Sequence, residues 1–333
     1  YNNLGNVLKD LGQYNYALES YQKGLAIDPN IVELNNNLGN IYKDIGQFEE
    51  SIEYFKKALI LDPSYYEAHN NLGIVLNKIG QEEKSIKSYN EAIKLNPDFA
   101  EAYFNRGHVL QDIMQYSEAL KSFENAFDIN PEIDYICGHI KHARMHLCEW
   151  DNNQNQINKI EKNINNNEKT VRPFALLAMI DNPELQRKNA EIFCKNNSLR
   201  VNPFPKINQY PSNKRILIGY FSADFREHPV ANLSAELYEI HDRKKFEIHA
   251  FSYGQDSKDS MNLRIKSGVD YFHDVHSMSD EDIVKLARSI KIDIAVDLGG
   301  YTQGSRNNIF AMRTAPVQVS FLGYTGTLGG DYM

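Results

Sequence analysis

Glycines at 5, 39, 73 and 107 and prolines at 29, 63, 97 and 131 advance in the same step of 34 residues. Two residue types with opposite backbone demands do not share a period by composition alone, so the first part of the chain must be a row of equivalent units. Further columns keep the step. Ala17, Ser51, Ser85 and Ala119 are small, Tyr21, Phe55, Tyr89 and Phe123 are aromatic, and Gly24, Ala58, Ala92 and Ala126 are small again. Small residues recurring at helical positions mark where two helices come close. Gly12, Gly46 and Gly80 end the first helix of each unit, and the proline opens the approach to the next because it cannot continue a helix. Met114 replaces that glycine in the fourth unit, which predicts a looser turn there.

A helix-turn-helix unit of this length closed by Asp-Pro or Asn-Pro is the tetratricopeptide pattern, here over residues 1–134. Such units stack as an α-solenoid whose concave face comes from the first helix of each pair. Asn3, Asn37, Asn71 and Asn105 recur on that helix in register, so stacking lines them up as a ladder. A side-chain amide donates and accepts at once, and can hold an extended peptide backbone without reading its side chains. The same amides could instead cap or bridge neighbouring helices. Both roles fit the spacing.

Residues 135–213 leave the register. Tyr135 to Trp150 reads as a helical cap, whose His139, His142 and His146 are assigned to helix surface and packing. The asparagine-rich stretch Asp151 to Lys169, with Ile157, Ile160 and Ile164 at helical spacing, predicts a polar surface helix with frayed ends. Arg172 to Cys194 predicts two short helical segments around Asn182-Pro183, followed by a proline-containing linker that ends near Lys214.

From 214 to 333 the pattern changes to alternating strands and helices. "RILIGYFSADF" is a buried strand entering a loop, and "VANLSAELYEIHD" is a helix with Leu233, Leu237 and Ile240 as its apolar stripe. "KFEIHAFSYG" is a second strand, "DEDIVKLARSIK" a helix, and "IDIAVDLGGYT" a third strand entering a glycine loop. "RNNIFAMRT" is helical, and "VQVSFLGYTGTLGG" is a strand running into another glycine loop. Alternation of this kind predicts a parallel sheet with helices on both faces, an α/β Rossmann-like lobe. Ligands of such sheets bind at the carboxyl ends of the strands. That rule selects three loops, 222–229, 299–306 and 322–330.

"DFREHP" in the first loop sets Asp224 and His228 before a helix that Pro229 can start. The electropositive end of that helix favours a neutral imidazole, able to take a proton from an attacking hydroxyl or to donate to a sugar or phosphate oxygen. The alternative is a histidine that only caps the helix. Asp224 reads as a loop-fixing carboxylate. In the second loop, Arg306 beside Tyr301 either holds a carboxylate or phosphate or braces the loop. The glycines of "LGYTGTLGG" either let backbone N–H groups approach an anion or simply turn the chain. They match neither a dinucleotide fingerprint nor a Walker loop.

The totals exclude other classes. A formal charge of −8 argues against general affinity for nucleic-acid phosphate, and no apolar run is long enough to span a bilayer. Cys137, Cys148 and Cys194 form no CxxC pair, which fits a reducing, cytoplasmic setting and no metal site. No signal-peptide pattern opens the chain.

Tetratricopeptide repeats followed by "RILIGYFSADFREHPVANL" and "DIAVDLGGYTQGSRNNIFAMRTAPVQVSFLGYTGT" closely resemble the protein O-GlcNAc transferases, especially bacterial-type relatives with the His-Pro-Val form. The resemblance covers nearly the whole chain except the asparagine-rich insert. It implies an inverting transferase of GT-B architecture that moves N-acetylglucosamine from UDP-GlcNAc to serine or threonine hydroxyls of proteins, with no cofactor and no metal. It implies that the repeats bind acceptor proteins or peptides and that the asparagine ladder holds their backbone. By motif, His228 matches the family histidine proposed as general base or active-site hydrogen-bonding group, and Asp224 the aspartate four residues before it, also discussed as a base, so the resemblance implies both as catalytic candidates. Tyr301 and Arg306 match the Gly-Tyr-Thr-x-Gly-x-Arg loop. Leu322, Gly323, Tyr324, Gly326 and Thr327 match the Leu-Gly-Tyr-Pro-Gly-Thr segment bordering sugar and acceptor. Thr325 replaces the proline of that segment, and Val230 stands where animal enzymes have threonine.

In that family most of the nucleotide is held by a second Rossmann-like lobe, including a lysine for the diphosphate. The resemblance therefore implies that residues 1–333 are the repeats and first catalytic lobe of a longer enzyme and are inactive alone. Two other functions remain open on the sequence: O-fucosyl transfer from GDP-fucose, and a tetratricopeptide interaction scaffold with a degenerate enzyme lobe.

Overall fold

The computed structural model describes residues 1–197, 202–207, 210 and 214–333. They form two compact units, Tyr1–Gln156 and Ile157–Met333.

The first unit is a row of helix pairs: α1 (Asn2–Asp10) with α2 (Tyr14–Ile27), α3 (Val32–Asp44) with α4 (Phe48–Leu61), α5 (Tyr66–Lys78) with α6 (Glu82–Leu95), and α7 (Ala100–Asp112) with α8 (Tyr116–Ile129). The glycine column exists because the aromatic column needs its space. A Cβ on Gly39 would lie 2.6 Å from a ring carbon of Phe55, and one on Gly73 2.7 Å from a ring carbon of Tyr89. Both rings are buried. The small-residue column adds a polar fastening, since Ser51 Oγ donates to the Gly39 carbonyl and Ser85 Oγ to the Gly73 carbonyl, each at 2.7 Å.

The fourth turn is not looser. Met114 takes the left-handed backbone of Gly12, Gly46 and Gly80, with φ 62° against 72°, 82° and 72°. Its N–H closes on the Gln111 carbonyl at 3.0 Å, as the Gly46 N–H does on Lys43 at 3.2 Å. The stacked helices impose the geometry, and the Cβ strain of about 1 kcal/mol is tolerated.

A capping helix, α9 (Ile136–His146), follows. His139 is buried against Phe104 and Phe123, and His146 stacks on Tyr116 with ring centroids 4.0 Å apart. Burial, with the nearby His146, pushes the His142 imidazole below its ordinary range.

The helix α10 (Asn153–Asn165) crosses the division between the units. Residues 135–156 thus go with the repeats, while the rest of the stretch read as cap and linker goes with the lobe. Ile160 and Ile164 of α10 are buried with Leu176 of α11 (Pro173–Leu177) and with Leu185 and Ile192 of α12 (Pro183–Asn197). At 15 residues α12 is longer than the short segment expected. Within the proline-containing linker, residues 201, 208–209 and 211–213 lie outside the described ones.

The remainder is a five-stranded sheet with crossover helices: β1 (Ile216–Ser222), α13 (Pro229–Ile240), β2 (Phe246–Ser252), α14 (Ser260–Gly268), β3 (Tyr271–Asp274), α15 (Asp280–Ile290), β4 (Ile294–Asp297), α16 (Asn308–Ala311) and β5 (Val317–Ser320). Every pairing is parallel and the order is β3-β2-β1-β4-β5. One face buries Phe221, Phe251 and Phe310 with Ile283 and Val284 of α15. The other buries Ile218, Tyr220, Ile248 and Ala250 under α13 and α14. The chain reverses its lateral direction between β1 and β4, the point where open sheets of this kind form a crevice.

Two features depart from the sequence reading. Of Leu233, Leu237 and Ile240, Leu237 packs at the edge of this core, but Leu233 and Ile240 are 71% and 69% exposed, and Ala231, Ser234, Ala235 and Tyr238 are the buried residues of α13. The elements α14 and β3 were not anticipated, because a four-residue edge strand of Tyr-Phe-His-Asp and a short helix of weak periodicity leave little hydrophobic pattern.

Candidate functional site

The three loops selected by the strand-end rule meet. A Cβ on Gly304 would lie 3.5 Å from Ala223 Cβ, which brings the loop after β4 against the loop after β1. A Cβ on Gly323 would lie 1.8 Å from the Leu298 carbonyl oxygen and 3.4 Å from Val230 Cγ2. The chain after β5 therefore runs against both the end of β4 and the first turn of α13. Only a residue without a side chain fits there. Leu322, just before it, has φ 70°, and the Gly323 N–H reaches the Phe321 carbonyl at 2.9 Å, a tight three-residue turn strained by roughly 1–3 kcal/mol.

His228 is the N-cap residue of α13, with Pro229 in the first helical position. Its Nδ1 accepts the Val230 N–H at 3.3 Å. A neutral imidazole that accepts at Nδ1 carries its proton on Nε2, so the half-exposed ring offers an Nε2–H donor. The capping role is thus present in the geometry, and it leaves the second ring nitrogen for a ligand. Asp224 Oδ2 lies 3.8 Å from the same Nδ1, and Asp224 Oδ1 is 3.3 Å from Arg226 Nη2. Asp224 is buried at the end of β1, where its N–H bonds Ser222 Oγ at 2.9 Å. Asp259, the N-cap of α14, accepts the Glu227 N–H at 2.9 Å, and Asn262 Nδ2 donates to the Phe225 carbonyl at 2.7 Å. The His228 loop is consequently tied down on its far side.

Tyr301 and Arg306 do not share a task. Tyr301 Oη donates to the Leu328 carbonyl at 2.6 Å and its ring meets Tyr324 edge-on at 5.6 Å, so it fastens the second loop to the third. Tyr324 is buried, and desolvation pushes its hydroxyl up to about 12. Its ring fills the space a side chain on Gly300 would need, with the nearest ring-side atom 2.3 Å from that ideal Cβ. Arg306 turns the other way. Its Nε bonds Asp280 at 2.6 Å in the first turn of α15, and its Nη2 bonds the Met278 carbonyl at 2.7 Å. That is the bracing role of the two left open. Thr327 Oγ1 accepts the Gly329 N–H at 3.2 Å, and Gly326 packs against the Tyr324 hydroxyl.

Two strand-end residues were missed. Asp297, last in β4, is 1% exposed and receives the N–H groups of Gly299 and Gly300 at 2.9 and 3.1 Å. Burial raises its pKa, against those two bonds. Tyr253, after β2, is buried, and desolvation followed by the charges of Asp297 and Asp224 pushes its hydroxyl well above the ordinary tyrosine range. The available signal for Asp297 was a carboxylate closing the apolar run "IAVD" directly before a glycine pair.

In the repeats, Asn37, Asn71 and Asn105 are half-buried on successive first helices, and each reaches back one unit. Asn37 Nδ2 donates to Asn2 Oδ1 at 2.8 Å, Asn71 Nδ2 to Asn36 Oδ1 at 3.0 Å, and Asn105 Nδ2 to Asn70 Oδ1 at 3.0 Å. Asn3, on the first helix of the row, is exposed.

Comparison with known proteins assigns each part of the chain separately. The profile of glycosyl transferase family 41 matches residues 185–333, and tetratricopeptide profiles match 5–46, 39–80, 75–113 and 100–133. Residues 185–333 are thus a glycosyl transferase family 41 region, preceded by tetratricopeptide repeats. The chain is similar to a probable UDP-N-acetylglucosamine–peptide N-acetylglucosaminyltransferase, SEC, of Arabidopsis thaliana, at 40% identity over 36% of this chain and 12% of the plant protein. A UDP-N-acetylglucosamine–peptide N-acetylglucosaminyltransferase of Caenorhabditis elegans is 36% identical over 37% of this chain and 11% of its own length. Among solved structures, an O-GlcNAc transferase mutant of Thermobaculum terrenum superposes with a TM-score of 0.54 at 23% identity, covering 91% of this chain and 52% of that one. At that identity the likeness is one of fold. The chain matches a small part of the length of its curated relatives and about half of the structural one. Among the described residues no helix is long and apolar enough to cross a membrane.

Proposed function

We propose that this chain, with its family 41 region, supplies the acceptor-binding repeats and the first catalytic lobe of an inverting protein O-glycosyltransferase, which moves N-acetylglucosamine from UDP-GlcNAc to serine or threonine hydroxyls. The observation that carries the reading is the meeting of three strand-end loops around the α13 N-terminus, where His228 presents Nε2. In the reaction the acceptor hydroxyl oxygen bonds to the anomeric carbon, the bond from that carbon to the phosphate oxygen breaks, and UDP leaves with the electron pair. His228 donates its Nε2–H to an oxygen of sugar or acceptor. If Nδ1 gives up the Val230 N–H and takes the ring proton, with Asp224 Oδ2 3.8 Å away as its acceptor, Nε2 is left unprotonated to take the hydroxyl proton. Asp224 and Arg226 orient the ring and its loop. Tyr301, Leu322, Gly323, Tyr324, Gly326 and Thr327 shape the sugar and acceptor side through backbone position, and Asn3, Asn37, Asn71 and Asn105 hold the acceptor backbone.

The diphosphate falls to a second lobe, so residues 1–333 alone are expected to turn over UDP-GlcNAc negligibly and the complete gene product to do so readily. Transfer to a serine-containing peptide, followed by mass spectrometry, tests both statements. Turnover by residues 1–333, or its absence from the complete product with every nucleotide sugar offered, contradicts the proposal. Transfer from GDP-fucose instead would assign the lobe to fucosyl transfer. One observation favours a second reading: His228 Nδ1 satisfies a helix N-terminus, a purely structural task, as expected of an interaction scaffold with an inactive lobe.

A further inference from the structure

The ladder amides are not loose. Each of Asn37, Asn71 and Asn105 gives one N–H to an asparagine 35 residues earlier, and the accepting residues form a second column, Asn2, Asn36 and Asn70. The second column is the more buried: Asn36 and Asn70 are 5% and 6% exposed, whereas the ladder residues are half-buried. Asn6 Oδ1 adds a second acceptor for Asn37 at 3.3 Å and is itself held by Tyr21 Oη at 2.6 Å. A side-chain amide has two N–H donors and a carbonyl oxygen, and its two ends interchange by a flip about the last side-chain bond. A free asparagine samples both orientations and several rotamers. One whose N–H is committed to a buried carbonyl oxygen does not.

We infer that Asn2, Asn36 and Asn70 are positioning residues, which fix the flip and rotamer of the ladder amides before a peptide arrives. The other N–H of Asn71 and Asn105, and the carbonyl oxygen of each ladder residue, then stand ready one repeat apart, whereas Asn37 shares its amide with Asn6 as well. Binding an extended backbone no longer has to order those side chains, a cost that otherwise falls on affinity. Every bridge runs in the same sense, from a repeat to the one before it, so the amides form a row of uniform polarity. Where the partner column changes, at Phe104, the residue is aromatic and packs on His108 and His139. Asn105 is therefore the last amide held this way among the described residues.

This inference rests on the reading that the ladder binds peptide backbone, and the experiment separates the two. The probe is a fluorescent, uncharged peptide of glycine, alanine and serine long enough to span the three amides, titrated by anisotropy. Asn71→Ala with Asn105→Ala tests the ladder itself. Asn36→Ala with Asn70→Ala leaves the ladder intact and removes only its acceptors; affinity is expected to fall about tenfold. Asn36→Asp with Asn70→Asp keeps an acceptor oxygen and is expected to bind within about twofold of the unsubstituted chain. Side-chain amide order parameters of Asn71 and Asn105 should fall in the alanine pair and recover in the aspartate pair, which a purely structural role would not produce. If the alanine pair does not fold, Asn70→Ala alone, read at Asn105, gives the same test. Loss of binding in the ladder variant with unchanged affinity or unchanged order parameters in the Asn36, Asn70 variant overturns the positioning role. Unchanged binding in the ladder variant, or no binding by the unsubstituted chain, overturns the backbone-binding reading and the inference with it.

Discussion

The Val230 N–H donates to His228 Nδ1 at 3.3 Å, and this bond determines what the imidazole can offer. With Nδ1 occupied as an acceptor, the proton sits on Nε2 and the ring points a donor outward. Histidine at the N-cap thus does two things at once: it satisfies one of the helix's unpaired N–H groups and holds its own tautomer. Asp224 Oδ2 lies 3.8 Å from the same nitrogen.

Met114 carries a left-handed backbone without being glycine, on a side chain 74% exposed. Met114→Gly is expected to stabilise the repeats by roughly 0.5–1 kcal/mol, since the relief of Cβ strain exceeds the added freedom of the unfolded chain. Urea unfolding followed by helical circular dichroism checks it; a destabilised variant would show the turn to be unstrained.

Gly323 has no room for a methyl group beside the Leu298 carbonyl. Gly323→Ala is expected to displace the 322–327 turn, with a stability loss of about 2 kcal/mol or more. Amide exchange of Gly323 to Leu328 should rise while that of β2 stays unchanged. Protection equal to that of the unsubstituted chain would contradict the close approach.

His273 is pushed down to about 4, first by burial and then by His249, to which it is hydrogen-bonded at 3.0 Å. His249 is also lowered by burial, although Glu247 and Asp270 pull it up and Arg215 adds to the lowering. A histidine with a depressed folded pKa contributes stability that is complete above its unfolded value of about 6.5 and is lost as pH falls toward about 4. For this partly buried pair the loss should be roughly 1–2 kcal/mol. His273→Phe, which keeps the stack on Phe251, should unfold with a shallower dependence between pH 6.5 and 4. An unaltered slope would exclude the pair as its source.

The repeats were legible because their demands recur. A glycine that must clear an aromatic ring, and a small residue under the next helix, leave the same mark four times. The strand-end loops were legible through one topological rule, which needed only the strand ends. Side-chain direction was not. Arg306 and Tyr301 sit five residues apart in one motif, yet Arg306 turns to Asp280 and Tyr301 to Leu328, a difference set by neighbours distant in sequence. Leu233 and Ile240 misled for a related reason: the face of α13 turned to the core carries Ala231, Ser234, Ala235 and Tyr238, so two of the most hydrophobic residues of the helix are exposed. Asp297 went unnoticed because a strand-ending carboxylate carries no period. The amide bridges needed two columns, and the spacing of one alone could not distinguish a bridge from a ladder.

The central claim, that His228 serves chemistry as well as the helix, is tested most directly by comparing His228→Asn with the unsubstituted complete gene product in transfer from UDP-GlcNAc to a peptide. Asparagine is a good N-cap, so helix stability should be kept within about 0.5 kcal/mol, whereas His228→Ala should lose about 1 kcal/mol. The account predicts that His228→Asn nevertheless loses at least about a hundredfold in kcat, with peptide affinity for the repeats unchanged. Transfer by His228→Asn at the unsubstituted rate would contradict it and leave His228 as a cap alone.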